Sequence, residues 1–122
     1  MPTPITQSNI YTAVNAWVAD PVAAETTYGD INDWDTSQVT DMSLLFKDKT
    51  TFNSNIGNWD TSNVLDMRHM FYGASVFNQN IGNWNTSKVT NMDALFASTA
   101  FNQDINTKIV NGGTLNAYTA WD

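Results

Sequence analysis

The chain contains no cysteine, so disulfides and thiolate-held metals are excluded and the redox compartment is left open. It has one histidine and one glutamate, Glu25, and lacks both a Gly-x-Ser-x-Gly elbow and a phosphate loop, so the usual acid–base and nucleophilic constellations are missing. Basic residues are scarce: Lys47, Lys49, Arg68, Lys88 and Lys108 stand against twelve acids, for a net charge of -7. They form no run, so a nucleic-acid or anionic-membrane partner has no electrostatic footprint to meet. No apolar stretch approaches the roughly 20 residues that cross a bilayer. The first eight residues lack the basic start and apolar core of a secretory signal, which makes the segment read as soluble and leaderless. What is present is a hydrophobic fraction of 42%, five tryptophans and 122 residues, enough for one folded domain. Asn, Thr and Ser carry most of the polarity, which suits turns, caps and amide ladders.

The dominant feature is a repeat. Asn32-Asp-Trp-Asp-Thr-Ser-Gln-Val39 returns as Gly57-Asn-Trp-Asp-Thr-Ser-Asn-Val64 and as Gly82-Asn-Trp-Asn-Thr-Ser-Lys-Val89. Trp34, Trp59 and Trp84 are 25 residues apart, as are Met42, Met67 and Met92, and Phe46, Phe71 and Phe96. A second phenylalanine series (Phe52, Phe77, Phe101) precedes an asparagine series (Asn53, Asn78, Asn102), and Ile31, Ile56, Ile81 and Ile105 complete the unit. Val39, Met42, Leu45 and Phe46 fall on one face of a short helix, and the following units repeat the pattern. The Asp-Thr-Ser or Asn-Thr-Ser ahead of each set offers side-chain oxygens to a first helical turn. The stretches around the isoleucines predict a strand of about three residues per unit. The fold expected is therefore an α/β solenoid, leucine-rich-repeat-like, of about three 25-residue strand-turn-helix units over residues 30–106.

The ends differ from the middle. Ser8 is placed to cap a helix carrying Ile10, Val14, Trp17 and Val18 on one face, and Asp20-Pro21 to open a second that stops at Gly29. Residues 1–29 thus form a helical N-terminal cap of a single domain spanning 1–122. Residues 107–122, with Asn111-Gly112-Gly113, read as a C-terminal β-hairpin.

The run Trp59-Asp-Thr-Ser-Asn-Val-Leu-Asp-Met67, then Met70-Phe-Tyr-Gly-Ala74 and Phe77-Asn-Gln-Asn-Ile81, resembles the bacterial surface protein 26-residue repeat family, related to BspA-like leucine-rich repeat surface proteins. The resemblance covers residues 31 to about 106 closely. It implies a leucine-rich-repeat-like solenoid at a cell surface or in the secreted fraction, with adhesion as the associated role. It brings no catalytic residues.

Among the recurrent residues, the tryptophans are expected in the core, each indole N–H meeting a backbone carbonyl, and Asn53, Asn78 and Asn102 in a stacked amide ladder. A lectin-like use of the tryptophans and a hydroxyl comb from the Thr-Ser pairs are the competing readings. Residues flanking the inward isoleucines point outward on a strand, so Asp30, Asn32, Asn55, Asn80, Asp104 and Asn106 form the candidate binding strip. No metal site, cofactor or catalytic residue is assigned. The function expected is non-enzymatic recognition of a protein or glycan. The alternatives are a building block that self-associates through the solenoid ends, and an attachment component of a virion.

Overall fold

A computed structural model describes residues 1–103. The hairpin expected over 107–122, and Asp104 and Asn106 of the candidate strip, lie outside the described residues. Helix α1 spans Ile10–Ala19 and buries Ile10, Ala13, Val14 and Trp17, the face that the apolar spacing predicts. Its N-cap is Asn9 rather than Ser8 and makes no side-chain cap. Asn9 instead holds the incoming loop, accepting from Thr6 N at 2.8 Å and donating to the Pro4 carbonyl at 2.8 Å. Helix α2 spans Pro21–Tyr28. Asp20 Oδ1 accepts from Ala23 N at 3.1 Å, Pro21 opens the helix, and Gly29 ends it at φ 81°, as the sequence implies.

Beyond α2 the expected α/β solenoid of strand-turn-helix units does not form. Among the described residues there is no strand, only the isolated parallel bridges Asp41–Asp66 and Asp66–Asn91. The one further helical piece described is a single 3-10 turn, Ile31–Asp33.

The segment expected as a helix is a run of tight turns. Leu45 N, Lys47 N and Lys49 N donate three residues back, to Met42 O, Leu44 O and Phe46 O, at 3.1–3.3 Å. The intervening N–H groups leave the unit altogether: Met42, Leu44, Phe46 and Asp48 donate to the carbonyls of Asp66, Arg68, Met70 and Tyr72 at 2.7–2.9 Å. Met67, His69, Phe71 and Gly73 repeat this toward Asn91, Asp93, Leu95 and Ala97 at 2.9–3.1 Å. A helix directs every N–H four residues back, so alternation between units rules it out. Positive φ at Leu44 (64°), Asp48 (59°), His69 (54°), Gly73 (72°), Ala94 (52°) and Ser98 (58°) accompanies these turns. Each non-glycine residue there costs roughly 1–2 kcal/mol, offset by the hydrogen bonds and burial of stacking. An inward residue every three or four positions results from helix and serial turns alike, which is why the apolar spacing misleads here.

The expected strand around Ile56 and Ile81 is absent because side-chain amides, not paired backbones, join the units. Asn53 Oδ1 accepts from Asn78 N, and Asn78 Oδ1 from Asn102 N, each at 2.8 Å. Gln79 Nε2 donates to Asn53 O at 2.9 Å, and Gln103 Nε2 to Asn78 O at 3.2 Å. This is the amide ladder that the asparagine series predicts.

The stacked units enclose an aromatic core. Phe46, Phe71 and Phe96 stack with ring centroids 5.4 and 6.0 Å apart, and Phe52, Phe77 and Phe101 at 5.8 and 6.0 Å. Within each unit the two columns meet at 4.1 Å. Trp34, Trp59 and Trp84 are buried, and their indoles donate backward to carbonyls: Trp34 to Gly29 at 3.0 Å, Trp59 to Ile31 at 2.7 Å and Trp84 to Ile56 at 3.1 Å. Each of these three is thus both core filler and tie.

Helix α1 closes the open side of the first unit. Tyr11 donates its hydroxyl to the Ser43 carbonyl at 2.6 Å, and Trp17 its indole N–H to Ser54 Oγ at 3.1 Å. Gln7 accepts from Thr40 N at 3.0 Å and Asp41 N at 2.9 Å. This end, one of the two offered for self-association, is therefore covered by the chain's own residues.

Candidate functional site

Of the candidate strip, the structure aligns Asp30, Asn55 and Asn80 in successive units but engages their side chains locally. Asp30 Oδ1 accepts from Asn32 N at 3.0 Å, Asn55 Oδ1 from Gly57 N at 2.9 Å and Asn80 Oδ1 from Gly82 N at 2.9 Å. Each is an Asx turn, in which a short side-chain oxygen substitutes for a backbone acceptor two residues on. Asn32 Oδ1 reaches the next unit and accepts from Asn58 N at 3.1 Å. The strip is a row of turn formers, with its outer edge exposed.

The same chemistry recurs at two more corners. Asp35, Asp60 and Asn85 accept from Ser37 N, Ser62 N and Ser87 N at 2.9–3.0 Å. Asp41, Asp66 and Asn91 accept from Ser43 N, Arg68 N and Asp93 N at 2.8–2.9 Å. The Ser37 and Ser62 hydroxyls also donate to Asp35 and Asp60, at 2.6 and 2.5 Å. Those hydroxyls, joined by the serine backbone N–H, hold both carboxyls below the ordinary value of 3.8, because donors to the ionised form favour it. The threonines turn inward: Thr36 donates to Asp60 O and Thr61 to Asn85 O, each at 2.9 Å. They are buried and offer no outward hydroxyl comb. Among the described residues no buried side-chain polar atom lacks a partner, and no three acidic or histidine side chains are placed to hold a metal ion.

Two features stand outside this scaffold. On the turn face, Lys47 Nζ sits 5.8 Å from the Tyr72 ring centre, and the His69 ring is 5.2 Å from it. Leu44 and Leu65 are exposed, at 41% and 48%, and Arg68 is exposed. None of these side chains recurs: the third unit carries Ala94 and Ala97 where the second has His69 and Tyr72.

The second feature is a half-open cavity of about 260 Å³ between the N-terminal segment and the first unit. Pro2, Pro4, Tyr28 and Trp34 form its walls, and Asp30, Asp33 and Asp35 also line it. Thr3 N, donating to Thr27 O at 2.7 Å, fixes the segment that closes it. Of these carboxylates the candidate binding strip holds only Asp30. A signal was nonetheless present: the first unit has aspartate at three places where the third has Asn80, Asn83 and Asn85.

No helix among the described residues is long and apolar enough to cross a membrane. No curated protein and no solved structure matches the chain. A family described as Mycoplasma protein of unknown function, DUF285, matches residues 14–116, from within α1 through the repeats, and the chain belongs to that family.

Proposed function

We propose that the chain is a non-enzymatic recognition module for a protein or glycan, acting at a cell surface. The carrying observation is the division of labour among polar groups. Recurrent ones are consumed by Asx turns, inter-unit ties and the amide ladder, whereas the side chains of Lys47, Arg68, His69 and Tyr72, with those of Leu44 and Leu65, take part in no repeated contact. Aromatic, arginine and aliphatic groups on one exposed face are the composition of binding hot spots. The likeness to BspA-type surface proteins supports a surface setting. The deeply buried tryptophans disfavour a lectin that stacks sugars on them.

Peptide and glycan arrays probed with the chain and with Tyr72→Ala and Arg68→Ala variants test this reading. The fold tolerates both changes by its own precedent, since Ala97 occupies the Tyr72 place and Asp93 the Arg68 place in the third unit. Saturable binding weakened about tenfold or more by either variant is expected, which is the loss of one contact worth ~1.4 kcal/mol. Blank arrays, or reproducible turnover of a substrate, would overturn it.

A further inference from the structure

We propose that the cavity at the N-terminal end is a cation-accepting pocket that receives a lysine or arginine side chain of a partner protein. This rests on the recognition reading and names a second contact, with its chemistry. Tyr28, half-buried, lies 5.8 Å from the buried Trp34 at 61° and gives the cavity its aromatic wall, backed by Pro2 and Pro4. Aromatic faces attract cations, and apolar walls accommodate the methylene stem of a long basic side chain. At about 260 Å³ the space is smaller than the roughly 300–1,000 Å³ of small-molecule sites, a size suited to one side chain.

The charge of the lining is what the fold does not require. Asp30, Asp33 and Asp35 correspond to Asn55, Asn58 and Asp60 in the second unit, and to Asn80, Asn83 and Asn85 in the third. Asn80 and Asn85 make the same Asx turns as Asp30 and Asp35, at 2.9 Å against 3.0 Å. An amide oxygen therefore suffices for the structure. Only the first unit places carboxylates at all three positions, and there they line a cavity. Residues 1–46 contain six acids and no lysine or arginine, so no basic side chain of this segment answers them, and Met1 at the terminus is fully exposed. The three carboxylates are not placed to hold a metal ion, which favours an extended organic cation entering among them.

The test uses the full chain and three short neutral-flanked peptides carrying a central arginine, lysine or norleucine. Amide chemical shifts are followed on titration. Saturable shifts confined to residues 2–5 and 28–35 are expected with the arginine and lysine peptides and absent with norleucine. The Asp30→Asn/Asp33→Asn/Asp35→Asn variant should stay folded, melting within a few degrees of the natural chain since Asp35 gives up only a screened bond from the Ser37 hydroxyl, and bind at least tenfold more weakly. Asp33→Asn alone, whose side chain takes part in no turn, provides a second variant and should weaken binding severalfold. Asp48→Asn, a charge-matched change on the turn face, should bind as the natural chain does. Equal binding by the triple or Asp33→Asn variant, shifts spread over the surface, or no saturation overturns the pocket. Should the arrays above find a ligand while these peptides fail, the pocket falls and the recognition reading stands; failure of both removes both.

Discussion

The side-chain amide of Gln7 closes on the backbone of Asp41 from both sides, its Nε2 donating to the Asp41 carbonyl at 3.0 Å and its Oε1 accepting from the Asp41 N–H at 2.9 Å. A primary amide presents the same donor and acceptor as a peptide unit. Gln7 thereby supplies the first unit with a stand-in for a preceding one. Gln7→Ala should expose the amides of Thr40 and Asp41, raising their hydrogen-exchange rates well above those of Leu65 and Thr90, and should cost about 1–2 kcal/mol. Unchanged protection at residues 40 and 41 would show that α1 alone seals this end.

Trp59→Phe keeps most of the buried ring and removes the indole N–H that reaches Ile31 O at 2.7 Å. The Ile31 carbonyl keeps only the longer bond from Trp34 N at 3.3 Å, and with a smaller ring in the core the variant should lose about 1–3 kcal/mol in chemical denaturation. A loss below about 0.5 kcal/mol would mean that the tryptophan column acts by bulk alone.

The amide ladder makes a sharper demand on its acceptor than on its donor. Asn53→Ala strands Asn78 N–H, while Gln79 Nε2 keeps the Asn53 carbonyl at 2.9 Å, and should destabilise by roughly 1–2 kcal/mol. Asn53→Asp keeps an acceptor toward Asn78 N, at 2.8 Å in the natural chain, and should recover most of that loss near neutral pH. Equal losses in both variants would count against the acceptor role.

Gly57 is set by close approach rather than by φ. A Cβ built there lies 2.7 Å from the Asn80 carbonyl oxygen, a backbone atom of the next unit. Gly57→Ala must push two units apart and should cost about 1–3 kcal/mol. The corresponding Asn32 of the first unit carries a side chain, so Asn32→Ala should be milder, losing only its tie to Asn58 N.

Asp35 and Asp60 are held below the ordinary carboxyl value, chiefly by the Ser37 and Ser62 hydroxyls. A folded-state value under the unfolded one stabilises fully above about pH 4 and is lost as pH falls through the lowered value. Stability should therefore decline on acidification below about pH 4, and Asp60→Asn should flatten that decline while keeping the turn, as Asn85 does with Ser87. Both groups are largely exposed, so solvent screening keeps the effect small. An unchanged acid slope in the variant would assign the decline to other carboxylates.

The cap and the core were legible in the sequence, and the repeat backbone was not. Asp20-Pro21 and Gly29 carry local chemistry that acts the same in any context, and both sit where their residue types imply. The burial of Trp34, Trp59 and Trp84 and the Asn53–Asn78–Asn102 ladder followed from recurrence, since identical residues in stacked units meet one another. Val39, Met42, Leu45 and Phe46 were correctly inward but wrongly helical. Their spacing reports only which side faces the core, while the deciding feature, the escape of alternate N–H groups to the next unit, belongs to tertiary structure. Positive φ at Leu44 and His69 carries no residue signature comparable to Gly73. Asp30, Asn55 and Asn80 were placed on an outward edge, but their Asx turns, and the cavity beside Asp30, depend on how the N-terminal segment folds back.

The arrangement of turns in the second unit is measured most directly by scalar couplings across hydrogen bonds, from the amide nitrogen of Phe71. Coupling to the carbonyl carbon of Leu95, whose oxygen lies 3.1 Å from that nitrogen, is the result predicted. Coupling instead to the carbonyl carbon of Met67, four residues back, would mean a helix and would contradict the account.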